Sequence, residues 1–201
     1  MLQFTFVLAT NNTHKVDEIL PQLPEGYVCL TASQASIEGD LPETQFTLQD
    51  NALQKARYCY EITGLPSLAD DTGLEVDSLG GAPGVYSARY AGFQRSAADN
   101  MAKLLANLEG AENRKAQFRT VMAWVTPEGE KTFEGVVKGE ITLFPKGAMG
   151  FGYDPVFKPD GQDKTFAEMD MEQKNSMSHR ARALAGFVDH LKETVANTHT
   201  S

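Results

Sequence analysis

Apolar residues recur with two different periods along this chain. Phe4 to Ala9 is a short apolar run that stops at Thr10-Asn11-Asn12-Thr13, the pattern of a buried strand followed by a turn. From His14 to Leu23 the period lengthens, with Val16, Ile19, Leu20 and Leu23 on one side, and predicts a short helix. Helical spacing returns over Leu48 to Tyr60, through Leu48, Ala52, Leu53, Ala56 and Tyr60. It returns again over Met101, Leu104, Leu105 and Leu108, closed by Gly110, and from near Ser178 through Ala181, Leu184, Phe187, Val188, Leu191 and Val195. Ser67 to Ala69 and Leu74 to Val76 read as two short strands flanking an acidic pair. Phe118 to Val125 and Thr132 to Leu143 read as long strands of a hairpin turned by Pro127-Glu128-Gly129-Glu130. Gly80-Gly81-Ala82-Pro83-Gly84 makes a stiff, sharply bent loop, and the polar tail from Asn197 to Ser201 reads as frayed.

Strands and helices alternate at first, and then two long strands follow one another. That order predicts an α/β fold built on a mixed sheet with an antiparallel extension. The 201 residues suit one domain or one domain with two lobes, and no internal repeat, low-complexity tract or linker marks a boundary. Apolar content of 41% and charged content of 22% are those of a globular chain able to bury a core without staples. The net charge of −9 argues against a nucleic-acid surface, which needs a broad basic face, but leaves room for a small anion in a local basic pocket. Cys29 and Cys59 form no CxxC and read as reduced, buried thiols. No apolar run approaches the ~20 residues of a membrane span, and the opening residues lack a basic n-region, so the expected location is the cytoplasm.

Local chemistry stands out against this background. In Leu68-Ala69-Asp70-Asp71-Thr72-Gly73 two acids sit side by side at the end of an apolar run. In a regular strand they would point to opposite faces, so one would serve a ligand and the other would order the turn. An Asx-type turn with both acids in solvent is the alternative. Two helices also begin with the wrong charge. Helix N-termini favour acids, yet the first opens with His14 and Lys15, and the last with His179 and Arg180, with Lys174 just upstream. An anion held at both starts would explain them, because backbone N–H groups and basic side chains would converge on it. Thr10 to Thr13 offers short hydrogen-bonding side chains and free amides after a buried strand, the composition of a phosphate cradle, although it is no Walker A loop. A polyphosphate travels with Mg²⁺, which takes one or two carboxylates, and Glu43 in an extended segment is a second candidate beside the acid pair. Glycines flank Phe151 in Gly150-Phe151-Gly152-Tyr153-Asp154, which leaves a ring able to stack on a nucleobase.

Together ATNNTHK, ETQFTLQDNALQKAR, LADDTGLEVDSLGGAPGVYSARYAG, GFGYDPVF and the SHRARAL run resemble the inosine triphosphate pyrophosphatase family, collinearly from Val7 to about Leu191. These enzymes cleave non-standard purine nucleoside triphosphates. The resemblance implies an elongated mixed β-sheet flanked by helices, two lobes with a central substrate cleft in one domain over residues 1–201, and a homodimer. It implies that Thr10, Asn11, Asn12, Thr13, His14 and Lys15 bind the triphosphate, joined by Lys55. Glu43 and Asp71 match the Mg²⁺-associated acids, and Asp71 the proton acceptor, with Thr72 beside it touching substrate. Phe151, Gly152, Tyr153, Asp154, Lys174, His179 and Arg180 match nucleoside-binding positions. Asn11 stands where many relatives have glycine, a position that Asn tolerates. The implied reaction is attack of water on the α-phosphorus of ITP, dITP or XTP, giving the monophosphate and pyrophosphate, with Lys15 neutralising charge on the leaving group. Arg180 and the His179 region would donate to the O6 acceptor that hypoxanthine and xanthine share.

Overall fold

The structure, a computed structural model, describes residues 4–198, with side chains up to residue 194. The first apolar run is strand β1 (Phe4–Leu8), and Asn12 caps helix α1 (Thr13–Ile19). This helix is shorter than its apolar stripe predicts. Pro21 has no N–H for a further helical bond, so the chain turns into a 3-10 segment over Leu20–Gln22. Strand β2 (Tyr27–Thr31) follows, then helix α2 (Leu48–Thr63). Thr47 caps α2 by accepting the Asp50 N–H at 3.0 Å, and Gly64 at φ 67° ends it in the left-handed conformation.

Strand β3 (Ser67–Val76) corrects the expectation of two short strands around a turn: it is one continuous strand, and Asp70 and Asp71 lie buried within it. Mid-strand acids are tolerated here because each meets a cation from a helix, as described below. The bent loop carries the two-residue strand β4 (Pro83–Gly84) and a cis Ala82–Pro83 peptide. Helix α3 (Ala97–Asn107) precedes the hairpin of β5 (Lys115–Thr126) and β6 (Gly129–Ile141). Strand β7 (Phe157–Pro159), helix α4 (Met171–Asn175) and helix α5 (His179–Thr198) complete the described chain. Asn197 and Thr198 of the expected frayed tail close α5. The rest of that tail, and the side chain of Val195, lie outside the described residues.

The strands form a mixed sheet ordered β2-β1-β3-β5-β6-β7, with β4 beside β3. β1 is parallel to β2 and β3, whereas β4 and β7 pair antiparallel with β3 and β6. The chain divides into two compact units, one of residues 4–71, 121–135 and 180–198, the other of residues 72–120 and 136–179. In the first, Phe6, Leu8, Ile19, Leu68, Met122, Trp124, Leu184 and Phe187 form the core, with Phe6 edge-on to Trp124 at 5.4 Å. In the second, Leu74, Val76, Leu104, Leu108, Phe118, Ile141, Phe157 and Phe166 do so. Cys59 is buried and Cys29 half-buried, both free, and burial raises their thiols to about 11 and about 12.

Candidate active site

Parallel pairing of β1 with β3 aligns Leu8 with Leu68, so the turn after β1 begins level with the acid pair two residues further along. In that turn Asn12 Oδ1 accepts the N–H groups of His14 and Lys15 at 3.0 and 3.4 Å, while Asn12 N donates to Thr10 Oγ1 at 3.1 Å. Asn11 Oδ1 accepts Ser33 N–H at 2.9 Å. These bonds fix the start of α1, whose first turn contains no acid, and point Lys15 at β3. Thr13 and His14 remain exposed.

The two acids separate as the strand period requires. Asp70 meets Lys15 Nζ through Oδ1 at 2.8 Å and Arg180 Nε and Nη2 through Oδ2 at 3.2 Å. Arg180, only 1% exposed, also donates through Nη1 to the buried carboxylate of Glu18. Asp71 instead meets Lys55 Nζ at 3.2 Å, and the same ammonium lies 2.7 Å from Glu43 Oε1. Glu43 is placed by its neighbours: Gln54 of α2 brackets Thr44 through two hydrogen bonds, and Asn51 Oδ1 accepts Gln45 N–H at 2.9 Å.

The electrostatics of the two acids differ in sign. Burial favours neutral Asp70, but Lys15, Arg180 and Lys55 overcome it and hold the carboxyl far below the usual carboxylate range. Burial pushes Asp71 up, Lys55 and Lys15 offset this only in part, and Glu43 adds to the rise. Asp70 is therefore a fixed anion, and Asp71 the better proton acceptor. Burial lowers Lys15 despite Asp70, and Lys55 and Arg180 add to that, so this ammonium gains from a further anion. Burial opposes the charge on Lys55, but Asp71 and Glu43 overcome it and raise its affinity for the proton.

A second constellation lies in the other unit. Asp154 Oδ2 accepts Phe151 N–H at 2.8 Å and Lys174 Nζ at 2.7 Å, and Lys174 sits 4.9 Å over the Phe151 ring. Gly150 (φ 72°) is required here, since a Cβ would come within 2.1 Å of Asp154 Oδ2. Tyr153 is a core residue whose hydroxyl donates to Ser87 O at 2.9 Å, and Ser87 in turn donates to Gly84 O at 2.6 Å. Gly152 adopts φ 62° in the same turn. His179, buried at the start of α5, stacks on Phe118 at 4.5 Å. Thr72 Oγ1 lies 2.6 Å from Thr120 Oγ1.

The sequence model of the Ham1 family matches residues 6–190. The chain belongs to the Ham1 family. A protein named dITP/XTP pyrophosphatase from Flavobacterium johnsoniae is 48% identical over 188 residues, 94% of this chain and 98% of its own. One of the same name from Porphyromonas gingivalis is 48% identical over 92% of this chain and 96% of its own. Among solved structures, the Ham1 protein of Staphylococcus aureus matches with a TM-score of 0.85 at 38% identity, over 94% of this chain and 99% of that one. A HAM1 protein from Coxiella burnetii matches equally, with TM-score 0.85 and 38% identity over 95% and 100%.

This Ham1-family chain brings Lys15, Lys55, Glu43 and Asp71 together in the first unit, and Phe151, Asp154 and Lys174 together in the second. Arg180, grouped with the nucleoside-binding residues by resemblance, is placed by the structure on Asp70 and Glu18. Its guanidinium is engaged by both carboxylates. Glu18 escaped sequence reading because its partner lies 162 positions away. Among the described residues no group of three or more His, Cys, Asp or Glu forms a metal cage. The Glu43–Asp71 pair still fits Mg²⁺, which takes one or two carboxylates and completes its shell with water and phosphate oxygens.

Proposed function

We propose that this chain is a Mg²⁺-dependent nucleoside triphosphate pyrophosphohydrolase that converts dITP, ITP and XTP to the monophosphate and pyrophosphate, clearing deaminated purines from the nucleotide pool. One observation carries the reading: adjacent carboxylates on β3 are divided into a neutralised anchor, Asp70, and a proton-accepting Asp71 that shares Lys55 with Glu43. The relatives' name, dITP/XTP pyrophosphatase, supports the substrate class.

Lys15 and Lys55, with the Thr10–Lys15 turn, bind the triphosphate oxygens. Lys15 takes up the charge that develops on departing pyrophosphate, where a fixed cation costs no reorganisation. Asp71 accepts the proton of the water that attacks the α-phosphorus. Glu43 and Asp71 would hold Mg²⁺, which supplies further charge neutralisation when bound. Asp70 and Arg180 keep Lys15 in place and do not touch the reacting atoms. The purine falls to Phe151, Lys174 and His179, which offer an aromatic face and donors to an O6 acceptor. Adenine would bring an amino donor to the same groups, and a buried donor left without an acceptor is costly. The protein works as a cytoplasmic homodimer in this reading, and no described helix is long and apolar enough to cross a membrane.

Incubation with Mg²⁺ and each of dITP, ITP, XTP, GTP and ATP, followed by product separation, tests this. Monophosphate and pyrophosphate from the first three, with little from GTP or ATP, is the expected result. Release of orthophosphate and a diphosphate would overturn the cleavage position, and tight binding without turnover would make the chain a nucleotide sensor.

A further inference from the structure

Along β5 one side of the strand runs Ala116, Phe118, Thr120, Met122 and Trp124, all buried and, apart from Thr120, all apolar. Thr120 is fully buried at 0% exposure. Valine has nearly its shape and would fill the same place without a hydroxyl. A buried hydroxyl costs about 1–3 kcal/mol unless it is hydrogen-bonded, so its presence asks what it serves.

Its partner is the hydroxyl of Thr72 on β3, 2.6 Å away, near the short end of the O–H···O range. Thr72 is only partly buried and directly follows Asp71, whereas Thr120 lies in an apolar row with no exposure and so has no access to water.

We propose that Thr120 is a positioning residue for the reaction: it donates to Thr72 Oγ1, and so turns the Thr72 proton toward an anionic oxygen of the bound triphosphate. The pair forms a two-hydroxyl relay in which each bond polarises the next. Thr120 thereby holds in advance an orientation that the Thr72 hydroxyl would otherwise have to select among its rotamers during turnover. Pre-set donors of this kind act most strongly where charge develops. The inference rests on the proposed contact of Thr72 with substrate.

The test compares wild type, T120S, T120V, T72V and the T72V/T120V double variant with dITP and Mg²⁺, recording kcat, KM and melting temperature for each. T120V is expected to lose about tenfold in kcat/KM, the scale of one hydrogen bond of ~1.4 kcal/mol. The loss should fall mainly on kcat without a lower melting temperature, and T120S should restore it. The double variant should be no worse than T72V, because Thr120 acts through Thr72. Wild-type kinetics in T120V, or losses that multiply in the double variant, would overturn the relay. If T120V does not fold, T120C keeps the volume with a weak donor and is read by the same criteria. Failure of the wild type to cleave dITP would instead strike the proposed function, so the two failures are distinguishable.

Discussion

At the scale of the residue, the adjacent acids have opposite assignments and should respond oppositely to mutation. Asp71→Asn removes the proton acceptor and is expected to abolish measurable turnover with little change in melting temperature. Asp70→Asn leaves Arg180 and Lys15 without their shared carboxylate. Breaking a buried pair costs about 3–5 kcal/mol, so this variant should show a lower urea midpoint before any kinetic effect is read. The same division predicts two titrations in the metal-free protein by carboxyl NMR, with Asp71 above the ordinary carboxylate value and Asp70 below it. Asp70, depressed on folding, contributes stability that is present above its unfolded value and lost only as the pH falls through its lower folded value. Asp71, raised on folding, contributes stability that is present below its unfolded value and lost as the pH rises through the folded one. Two carboxyls titrating together near the ordinary value would contradict both assignments. Strand period, which sends neighbours to opposite faces, made two separate roles legible in the sequence, but not that Asp70 anchors Lys15 and Arg180 instead of ordering a turn. The partners were not legible either: Lys15 is 55 positions and Arg180 110 positions from Asp70.

At the scale of the element, the helices were the legible part, since caps and apolar stripes are local. Thr47 and Ser96 each accept an N–H three residues on; α2 covers the periodic stretch read from sequence, and α3 ends one residue short of its stretch, with Leu108 rather than Gly110 as the C-cap. The strand carrying the acids was misjudged as broken because charge in sequence resembles a strand end. Its continuity depends on cations delivered by α1, α2 and α5, which no local pattern reveals. β4 and β7 are too short, at two and three residues, to leave a periodic signal. The turn before β7 carries a prediction of its own. Gly150→Ala adds a Cβ 2.1 Å from Asp154 Oδ2 at a left-handed φ, so it should destabilise by about 1–3 kcal/mol. It should also raise KM by moving Asp154 off Lys174 and Phe151. Chemical denaturation and substrate kinetics measure the two effects, and an unchanged KM would separate this turn from nucleoside binding.

At the scale of the whole molecule, the mixed α/β class followed from element order, and the family followed from motifs spread over nearly the full chain. The division into two units was not readable from periodicity, because β3, β5 and β6 each run from one unit into the other. If one ligand engages the Lys15–Asp71 cluster, native protein should gain stability from Mg²⁺ and nucleotide together, by about 2.7 kcal/mol at a hundredfold excess over Kd. A thermal shift with Mg²⁺ and a non-hydrolysable dITP analogue, absent in Asp71→Asn, would read this. The central claim is that Asp71 directs water to the α-phosphorus, and turnover of dITP in ¹⁸O-water tests it most directly. Label found in the monophosphate, and lost with Asp71→Asn, is the predicted result. Label in the pyrophosphate would mean attack at the β-phosphorus and would contradict the account.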